Sequence, residues 1–424
     1  MKKSKLLCIV LIFVLILCSC GEQTVESSKE SKPKEEITPK YQNLMVNISP
    51  ENVSSLEDLS QGNKAYHDFA LKVFKESLNK EGKNTLISPL SVIYALGLTA
   101  NGADGNTLSQ MEDVFGIKID ALNEYLYSYA KQKEEKTEAK LNIANSIWFT
   151  DDENLLKINN EFLQKNANYY KAAANKADFS DEQTVKDINN WVKEKTDGAI
   201  EEIISQIEAN DVMFLINALS FEAEWREKYT EGSVRAGEFI TENGEKIETE
   251  FMHSNVSIYL SDDNSVGFMK EYKGGYAFAA LLPKEGMTIE EYVSTLSGDK
   301  ISNILNSKSN YETITSLPKF ETEYDISMVK VFQRLGMTDA FENANFSKMG
   351  EADGLIIGDI LHKTFISVGE LGTKAGAATA VILEAESEPA EIKYVNLSRP
   401  FLYMLVDTTT NTPIFIGTMM NPVQ

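Results

Sequence analysis

The stretch Glu370-Leu-Gly-Thr-Lys-Ala-Gly-Ala-Ala-Thr-Ala-Val-Ile-Leu-Glu-Ala-Glu-Ser387 decides how the rest of this chain is organised. Alanine favours a helix, but Gly372, Gly376 and the β-branched residues after Ala378 oppose one. A period of two residues places side chains that are first small and then apolar on one face: Thr373, Ala375, Ala377, Thr379, Val381 and Leu383. Acidic residues and Pro389 follow, which is typical of an exposed loop. The stretch therefore predicts a strand that a crowded sheet can bury but does not have to bury.

The same stretch resembles the hinge and reactive-centre loop of the serpin family, whose pattern is Glu-x-Gly-Thr-x, then small residues, then Thr. The residues that match or fill this hinge pattern are Glu370, Gly372, Thr373, Ala375, Gly376, Ala377, Ala378 and Thr379. The resemblance implies that a protease cuts the exposed loop, and that the hinge side of the loop then inserts as a strand into the main β-sheet. Small inward residues suit this role, because an overpacked side chain in such a sheet costs about 1–3 kcal/mol. A flexible Gly/Ala linker is the alternative interpretation of the composition.

The length and composition are those of a globular protein. The chain has 424 residues, of which 42% are hydrophobic and 25% charged, enough for one large or two medium domains. The formal net charge of -23 argues against nucleic acid as a partner, because binding to phosphates needs clustered Lys and Arg. All three cysteines lie within the first twenty residues, so the folded part is expected to have no disulfide and no thiol catalyst.

The amino terminus has the pattern of an export signal. Three lysines precede an apolar run at 6–17, which is too short for a stable membrane span, and Leu17-Cys-Ser-Cys20 follows. This ending resembles a bacterial lipobox, which implies a signal peptide at 1–19, cleavage before Cys20 and lipidation of the Cys20 thiol. A plain secretory signal or an uncleaved anchor is the alternative. We expect an extracytoplasmic protein of bacterial origin that is held at the cell membrane by its lipid.

The domain organisation follows from a change in composition along the chain. Residues 20–60 are rich in Glu, Ser, Lys, Thr and Pro, which predicts a lipidated cysteine followed by a disordered tether. Apolar residues recur at helical spacing from Tyr66 onward, so the globular domain is predicted at 61–424. Val212–Phe221 is almost uninterruptedly apolar, which is typical of a central strand covered on both faces.

Further motifs in the right order extend the resemblance to about residues 63–424. They imply an α+β serpin fold with three β-sheets, about eight or nine helices and an exposed reactive-centre loop. Ser88 before Pro89 is a good helix start on its own account, since a Ser cap satisfies a free backbone donor. The resemblance adds a buried polar cluster, the shutter, whose members are Ser88, Ser91, Asn217 and His362.

A second cluster, the breach, is implied where the hinge begins. Its members are Trp225, Lys319 and Glu370, and the resemblance pairs the Lys319 ammonium with the Glu370 carboxylate. Tyr229 stands where the family usually has Phe. Partly buried ion pairs offset desolvation against attraction, so the position of this pair matters more than its energy.

Catalytic motifs do not account for this sequence. Its three histidines are His67, His253 and His362, and the chain contains no Gly-x-Ser-x-Gly elbow, His-Glu-x-x-His helix or Gly-rich phosphate loop. A lone histidine in an apolar strand, such as His362, is usually a hydrogen-bonded core residue. We therefore expect no enzymatic activity, no metal and no cofactor.

The function implied by the resemblance is suicide inhibition of a serine-type endopeptidase, or a cysteine-type one, through a covalent acyl complex made by a monomeric inhibitor. The first alternative is a non-inhibitory serpin that acts as a binding or chaperone module, and the second is a hydrolase with multiple turnover. Small inward residues between Thr373 and Thr379 favour inhibition over the first alternative.

The reactive bond is predicted at Glu386-Ser387. The bait residue of inhibitory serpins usually lies sixteen positions after the hinge glutamate, which here is Glu370. A glutamate at this position suits a protease with a basic specificity pocket, such as a glutamyl endopeptidase. A cut after Ala385 or Leu383 is the competing register, and it suits a subtilisin-like protease.

Overall fold

The computed structural model describes residues 39–79, 81–133, 138–170, 173–208, 211–307, 309–352, 354–373 and 391–424. Residues Lys40–Gln424 form one compact unit. Its core is one large cluster of buried apolar side chains, and a smaller cluster around Trp148 and Trp191 lies on the other face of a long sheet.

Ten α-helices occur within the described ranges, and a 3₁₀ turn covers Glu231–Ser233. The helices are α1 (Ser60–Ser77), α2 (Pro89–Ala100), α3 (Gly105–Phe115), α4 (Ile119–Lys133), α5 (Asn160–Tyr170), α6 (Glu182–Lys195), α7 (Ile289–Ser294), α8 (Gly298–Asn306), α9 (Val329–Arg334) and α10 (Asp339–Glu342). Helix α2 is buried along its whole length, and it begins as predicted, because the Ser88 hydroxyl accepts the backbone N–H of Ser91 and Pro89 takes the first helical position.

The first sheet has seven strands in the order β1-β5-β3-β6-β15-β14-β12. These strands are β1 (Gln42–Asn43), β3 (Ala139–Thr150), β5 (Ala173–Ala177), β6 (Met213–Glu224), β12 (Phe320–Ser327), β14 (Asp359–Gly369) and β15 (Gly372–Thr373). Strand β6 is buried from Met213 to Phe221, so the apolar run that predicted a central strand does lie at the centre of this sheet.

The second sheet has nine strands. Eight follow the order β16-β11-β8-β9-β10-β17-β18-β2, and β7 pairs with β8 beside them. These strands are β2 (Thr85–Ile87), β7 (Val234–Ile240), β8 (Lys246–Asp262), β9 (Ser265–Glu271), β10 (Tyr276–Pro283), β11 (Ser309–Pro318), β16 (Ile392–Asn396), β17 (Phe401–Asp407) and β18 (Thr412–Met419). A third sheet pairs only β4 (Lys157–Ile158) with β13 (Gly350–Glu351).

The α+β class and the three sheets are confirmed, but the helix count is higher than predicted. The described residues contain ten α-helices rather than eight or nine. Several of them are one or two turns long, and α10 has only four residues. Such short helices leave no hydrophobic period in a sequence, because the period needs more than two turns to repeat.

The predicted tether packs against the body over the part that the structure describes. Gln42 and Asn43 pair with strand β5, and the Tyr41 ring meets Trp148 with 4.9 Å between ring centroids. Further along, the backbone N–H of Leu56 donates to the Ser128 hydroxyl at 2.8 Å. The compact unit therefore begins near Lys40 rather than at residue 61. The average composition of residues 20–60 did not predict this packing, because a few apolar residues are enough to order a segment against a surface that is already folded.

The predicted signal peptide at 1–19 and the predicted lipidation site Cys20 lie outside the described residues. Within the described ranges, no helix combines the length and the apolar character that crossing a membrane requires.

Candidate functional site

The hinge starts at a tight turn between strands β14 and β15. Strand β14 ends at Gly369, the chain reverses at Glu370 and Leu371, and β15 then runs between β6 and β14. Strand β15 is antiparallel to both neighbours, pairing Thr373 with Ala223 of β6 and with Val368 of β14. The first residues of the hinge thus already occupy the position of an inserted strand.

Only glycine fits the first position of β15. The φ angle of Gly372 is +148°, in the region that other residues rarely adopt. A Cβ atom there would lie 2.1 Å from the carbonyl oxygen of Ala223. The Gly of the hinge pattern is therefore required by close backbone contact with β6, and any substitution would push β15 out of the sheet.

Thr373 lies inside the protein and is hydrogen-bonded there. Its side chain is fully buried, and its Oγ1 lies 2.7 Å from the hydroxyl of Tyr272. Tyr272 follows directly after strand β9 and stacks on the indole of Trp225 at a centroid distance of 4.0 Å. Thr373 therefore meets the size limit predicted for an inward hinge residue, and it also has a specific polar partner.

A short segment at the end of β6, Trp225–Tyr229, holds the hinge turn; we call it the latch segment. The backbone N–H of Trp225 donates to the Leu371 carbonyl at 2.9 Å, and that of Tyr229 donates to the Glu370 carbonyl at 3.1 Å. The indole Nε1 of Trp225 donates to the Gly369 carbonyl at 2.8 Å. Three successive carbonyls of the turn are thereby fixed by one segment.

Lys319 adds an ion pair to the same turn. Its Nζ lies 2.8 Å from Glu370 Oε1 and 2.8 Å from Glu250 Oε2, so the structure brings together the predicted pair and one further carboxylate. Partial burial opposes the charge of Lys319, but the two hydrogen bonds raise the pKa of its ammonium above its ordinary value. The hydrogen bond from Lys319 lowers the pKa of Glu370.

Below the hinge, strands β6 and β14 pair directly; we call this pairing the seam. It runs in parallel register from Asp359 opposite Phe214 to Phe365 opposite Ser220. Strand β15 fills the same gap beyond the end of the seam, opposite Ala223 and Glu224. At the hinge, β15 therefore separates β6 from β14, whereas along the seam these two strands pair directly with each other.

The four residues assigned to the shutter meet at the seam, and all are fully buried. Asn217 of β6 lies opposite His362 of β14 in the strand register, and its Oδ1 accepts hydrogen bonds from His362 Nδ1 and from Ser91 Oγ, the latter at 2.9 Å. The backbone N–H of Ser88 donates to His362 Nε2 at 3.1 Å. The network thus crosses the seam and also ties it to the start of helix α2.

His362 is neutral in this network. The N–H of Ser88 needs an acceptor, which makes Nε2 the unprotonated nitrogen and leaves the proton on Nδ1 for Asn217. Complete burial lowers the pKa of His362 to about 3. A neutral, hydrogen-bonded imidazole suits a structural role at the seam rather than proton transfer.

The two remaining histidines lie outside the shutter. His67 lies in helix α1, where its Nε2 is 3.1 Å from the Asn411 carbonyl oxygen, and burial lowers its pKa. His253 lies on strand β8, and partial burial lowers its pKa as well. Within the described ranges, no group of three or more His, Cys, Asp or Glu side chains could hold a metal ion.

The hinge residues Ala375, Gly376, Ala377, Ala378 and Thr379 lie outside the described residues. The predicted reactive bond Glu386-Ser387 lies outside them too.

Three residues of this site were not predicted from the sequence. Asn145 on β3 accepts the side-chain amide of Asn217 at 2.6 Å and donates to the Ser91 carbonyl, which completes the shutter. Tyr272 contacts Thr373, and no local pattern marks it. Lys270 does have a signal, because a period of two residues along β9 places it on the same inward face as Phe268 and Tyr272.

Known proteins share this sequence pattern and this fold. The family described as Serpin (serine protease inhibitor) matches residues 64–422. An uncharacterised serpin-like protein of Thermococcus kodakarensis is 30% identical over 367 residues, covering 84% of this chain and 85% of the relative. The solved structure of human thyroxine-binding globulin with its ligand is 22% identical and has a TM-score of 0.76, covering 86% of this chain and all of that one, which shows the fold alone.

A thermophilic serpin, tengpin, has been solved in two states. Its native-state structure is 45% identical to this chain with a TM-score of 0.86, and covers 90% of this chain and 100% of the tengpin chain. Its latent-state structure has a TM-score of 0.75, at 43% identity and with 88% of this chain and 99% of the other covered. The conformation described above is thus closer to the native state. The match over nearly the whole domain, the three sheets and the Glu-x-Gly-Thr hinge agree, and the chain belongs to the serpin family.

Proposed function

We propose that this chain is an irreversible, conformational-trapping inhibitor of serine-type endopeptidases, in which cleavage of the reactive-centre loop lets the hinge insert into the seven-stranded sheet. The observation that carries the proposal is the placement of β15. Gly372 and Thr373 lie between β6 and β14, antiparallel to both, and lead toward the seam. Continued insertion would exchange one parallel pairing for two antiparallel ones, which are the more stable kind per residue.

The polar shutter fits a seam that has to open once. The His362–Asn217 contact crosses the seam and is lost when the strands part, whereas Ser91 and Asn145 stay beside Asn217 on one side. A hydrogen bond contributes only about 0.5–1.5 kcal/mol net, so breaking one is a small cost compared with the pairing gained along a new strand.

The target follows from the bait residue. A glutamate at position 386 selects proteases whose specificity pocket carries a positive charge, because an unpaired buried carboxylate costs several kcal/mol. We propose Glu386-Ser387 as the bond attacked, with a cut after Ala385 or Leu383 as the competing register. Cysteine-type proteases that form an acyl-enzyme at the same bond are a second class of target.

The deciding experiment incubates the soluble domain with glutamyl, subtilisin-like and trypsin-like proteases and looks for complexes that survive denaturing electrophoresis. Mass spectrometry of the small carboxyl-terminal fragment should give a peptide starting at Ser387, and one starting at Glu384 or Glu386 would move the bond. Glu386→Arg should shift trapping toward trypsin-like proteases, whose pocket is acidic, without changing the rate of insertion.

A matched pair of hinge variants separates trapping from simple cleavage. Thr373→Arg places an unpaired guanidinium where the Tyr272 hydroxyl now bonds Thr373, so the protein should become a substrate that is cut without trapping. Thr373→Ser keeps a small hydroxyl there and should still inhibit. Unchanged trapping stoichiometry in Thr373→Arg would contradict the proposed mechanism.

A non-inhibitory binding role is the second candidate, because the same fold is found in thyroxine-binding globulin, whose structure was solved with its ligand. The two candidates differ in the cleaved form. An inhibitor should gain clearly in unfolding temperature after loop cleavage, because the inserted strand adds ladder hydrogen bonds at the centre of the sheet and buries further side chains. Equal melting curves before and after cleavage would favour the binding role.

The cellular location of the protein is part of the same proposal. We propose a monomer anchored outside the cytoplasmic membrane by a lipid on Cys20, on the strength of Leu17-Cys-Ser-Cys20 and the apolar run before it. Cys20→Ala should abolish lipid labelling and membrane retention, with Cys18→Ala as the control. Continued labelling of Cys20→Ala would refute the assignment.

A further inference from the structure

Strand β16 carries an exposed apolar face that the proposed mechanism does not use. It begins one residue after the described chain resumes at Glu391, and it lies at the edge of the nine-stranded sheet beside β11. On this strand Ile392 is 43% exposed and Tyr394 is 69% exposed. Of the large apolar side chains that are exposed in the described ranges, Tyr394 is the only aromatic one.

The alternation along β16 sets the direction of these two side chains. Val395 is buried in the core, and Lys393 lies two positions before it on the same face. Residues two apart share a face of a strand, so Ile392 and Tyr394 stand together on the opposite, outer face. The pairing of β16 with β11 holds their backbone in place. A partner that covers these side chains therefore has little backbone freedom to restrict.

The neighbours on the outer face indicate the chemistry of such a partner. Tyr394 lies opposite Ile314 of β11 in the strand register, and Ile392 lies opposite Glu312. The side-chain amide of Asn255 on β8 donates to Glu312 at 3.3 Å. The face thus has an apolar centre with a carboxylate at its border. It fits a protein surface that is apolar with Lys or Arg beside it.

We infer that Ile392 and Tyr394 are contact residues for the target protease, and that Tyr394 determines how fast the protease engages the reactive-centre loop. The inference deepens the proposed function and rests on it, because the occupant of the face is the protease that the loop attracts.

The position of β16 along the chain selects the protease as the occupant. Tyr394 comes seven residues after Ser387, and seven residues span at most about 25 Å. A protease and its protein inhibitor bury about 800 Å² on each partner, with roughly 20–30 residues a side. This is more surface than the loop residues in the active-site cleft provide. A protease that holds the bond Glu386-Ser387 therefore reaches β16 on the leaving-group side.

A second copy of this chain fits the face less well. A strand that adds to the edge of a sheet pairs with the backbone of the edge strand, in the plane of the sheet. Ile392 and Tyr394 stand out of that plane, so strand addition would leave them exposed. The occupant has to lie over the face, as a docked globular protein does.

The contact acts before the loop is cut. In acylation the serine oxygen of the protease bonds to the Glu386 carbonyl carbon, the bond to Ser387 breaks, and the Ser387 amine leaves with the proton of the serine hydroxyl. The protease is then joined to Glu386 and no longer to the part of the chain that contains β16. Tyr394 should therefore affect the association of the protease, and not the division of the acyl complex between trapping and release.

Timed cleavage of the loop by a glutamyl endopeptidase tests the inference. Tyr394→Ala should lower the second-order rate constant of cleavage about tenfold, through weaker association, because truncating a tyrosine anchor of an interface has effects of this order. The stoichiometry of trapping should not change. Tyr394→Phe keeps the ring and should retain most of the rate. Because Tyr394 is exposed, all these variants are expected to fold.

A matched control removes an exposed apolar side chain elsewhere. Val46 is 72% exposed between β1 and α1, so Val46→Ala should leave the rate constant unchanged. Equal rate constants for Tyr394→Ala and the unmodified protein would overturn the inference. An oligomer that dissociates in Tyr394→Ala without any change in cleavage would also overturn it, and would assign the face to a second copy.

The outcome is separable from that of the proposed function. Cleavage of the loop can be timed whether or not the protease is trapped afterwards. A loop that is cut without trapping would refute inhibition, and the inference would still be decided by the rate constants of the Tyr394 variants. Absence of a cut at Glu386-Ser387 would refute the reactive bond and overturn the contact together with it.

Discussion

Strands β10, β17 and β18 of the nine-stranded sheet are buried along their whole lengths, whereas β14, at the seam of the seven-stranded sheet, buries every second residue. The first group pairs in antiparallel register and packs with apolar side chains on both faces. The seam is a parallel pairing crossed by the hydrogen bond between the Asn217 amide and the His362 imidazole, and the Ser91 hydroxyl binds the same amide.

Under the proposed mechanism, this difference explains how one domain can hold a permanent sheet beside one that opens. Apolar burial is lost as soon as two strands separate, and nothing replaces it. Hydrogen bonds across a seam can be replaced one by one by those of an entering strand, because backbone groups always find equivalent partners in a new pairing. A polar, parallel seam therefore lowers the cost of opening while the apolar sheet keeps the rest folded.

The largest loss of stability is expected in the permanent sheet. Phe415 on β18 is fully buried opposite Leu405 of β17. Phe415→Ala should destabilise the protein by about 3–5 kcal/mol, because it removes a large apolar side chain and leaves a cavity. Thermal unfolding measures the loss. Because the nine-stranded sheet takes no part in opening, this variant should give less folded protein but no faster loop insertion. Rapid loop insertion in Phe415→Ala would contradict the contrast between the two sheets.

A smaller loss of stability but a larger effect on insertion is expected at the shutter. Asn217→Ala leaves His362 Nδ1 without its partner, whereas Ser91 Oγ keeps the Ser88 carbonyl and Asn145 keeps the Ser91 carbonyl; one orphaned buried group costs about 1–3 kcal/mol. We expect a lower unfolding temperature and faster conversion to the loop-inserted form, seen by electrophoresis in a urea gradient.

The control for Asn217→Ala is Asn142→Ala. Asn142 lies on β3, which flanks β6 on the side opposite to β14, and it donates to Ser220 and Asp197 rather than to a residue of β14. This variant should leave the rate of insertion unchanged. If both variants speed insertion equally, the shutter has no special part in keeping the seam closed.

His362 should make the intact protein sensitive to acid. Its pKa falls to about 3 in the folded protein, against 6.5 for an ordinary histidine. The unfolded chain therefore binds one more proton between pH 6.5 and 3. The contribution of His362 to stability is fully present above pH 6.5 and falls by about 1.4 kcal/mol per pH unit below it. Histidine NMR signals test this, since His362 should not titrate between pH 7.5 and 5; a midpoint near 6 would contradict its neutral role.

The smallest effect is expected at the ion pair of the hinge turn. Glu370→Gln keeps a hydrogen-bond acceptor for Lys319, which also retains Glu250. In a partly buried pair the cost of desolvation offsets much of the attraction, so the unfolding temperature should change by only a few degrees. A loss comparable to that of Asn217→Ala would show that the turn depends on this pair rather than on the latch segment.

Much of the site could be predicted because its local rules are strict. The close approach of Gly372 to Ala223, the burial of Thr373 and the capping role of Ser88 each demand a particular small residue, and such demands remain visible in a sequence. The resemblance of the motifs, in their order, predicted the hinge, the shutter and the pairing of Lys319 with Glu370 from the sequence alone.

Other features depend on contacts that no local pattern encodes. The seam exists because β6 and β14 meet after a separation of more than 100 residues, and Thr373 meets Tyr272 across 101 positions. The packing of Tyr41 on Trp148 was likewise hidden, since a polar composition around Tyr41 predicted a tether.

By itself the sequence determined the family, through the resemblance of its hinge pattern and of the other motifs in their order, and it determined the small residues of the hinge, because steric limits on a buried strand restrict residue types position by position. Only the tertiary structure decided that Gly372 and Thr373 already lie between β6 and β14, and that Lys270 is buried on the rings of the latch segment. The physical reason is that the cost of burying a charge, and the gain from pairing a strand, depend on distant neighbours that folding alone brings together.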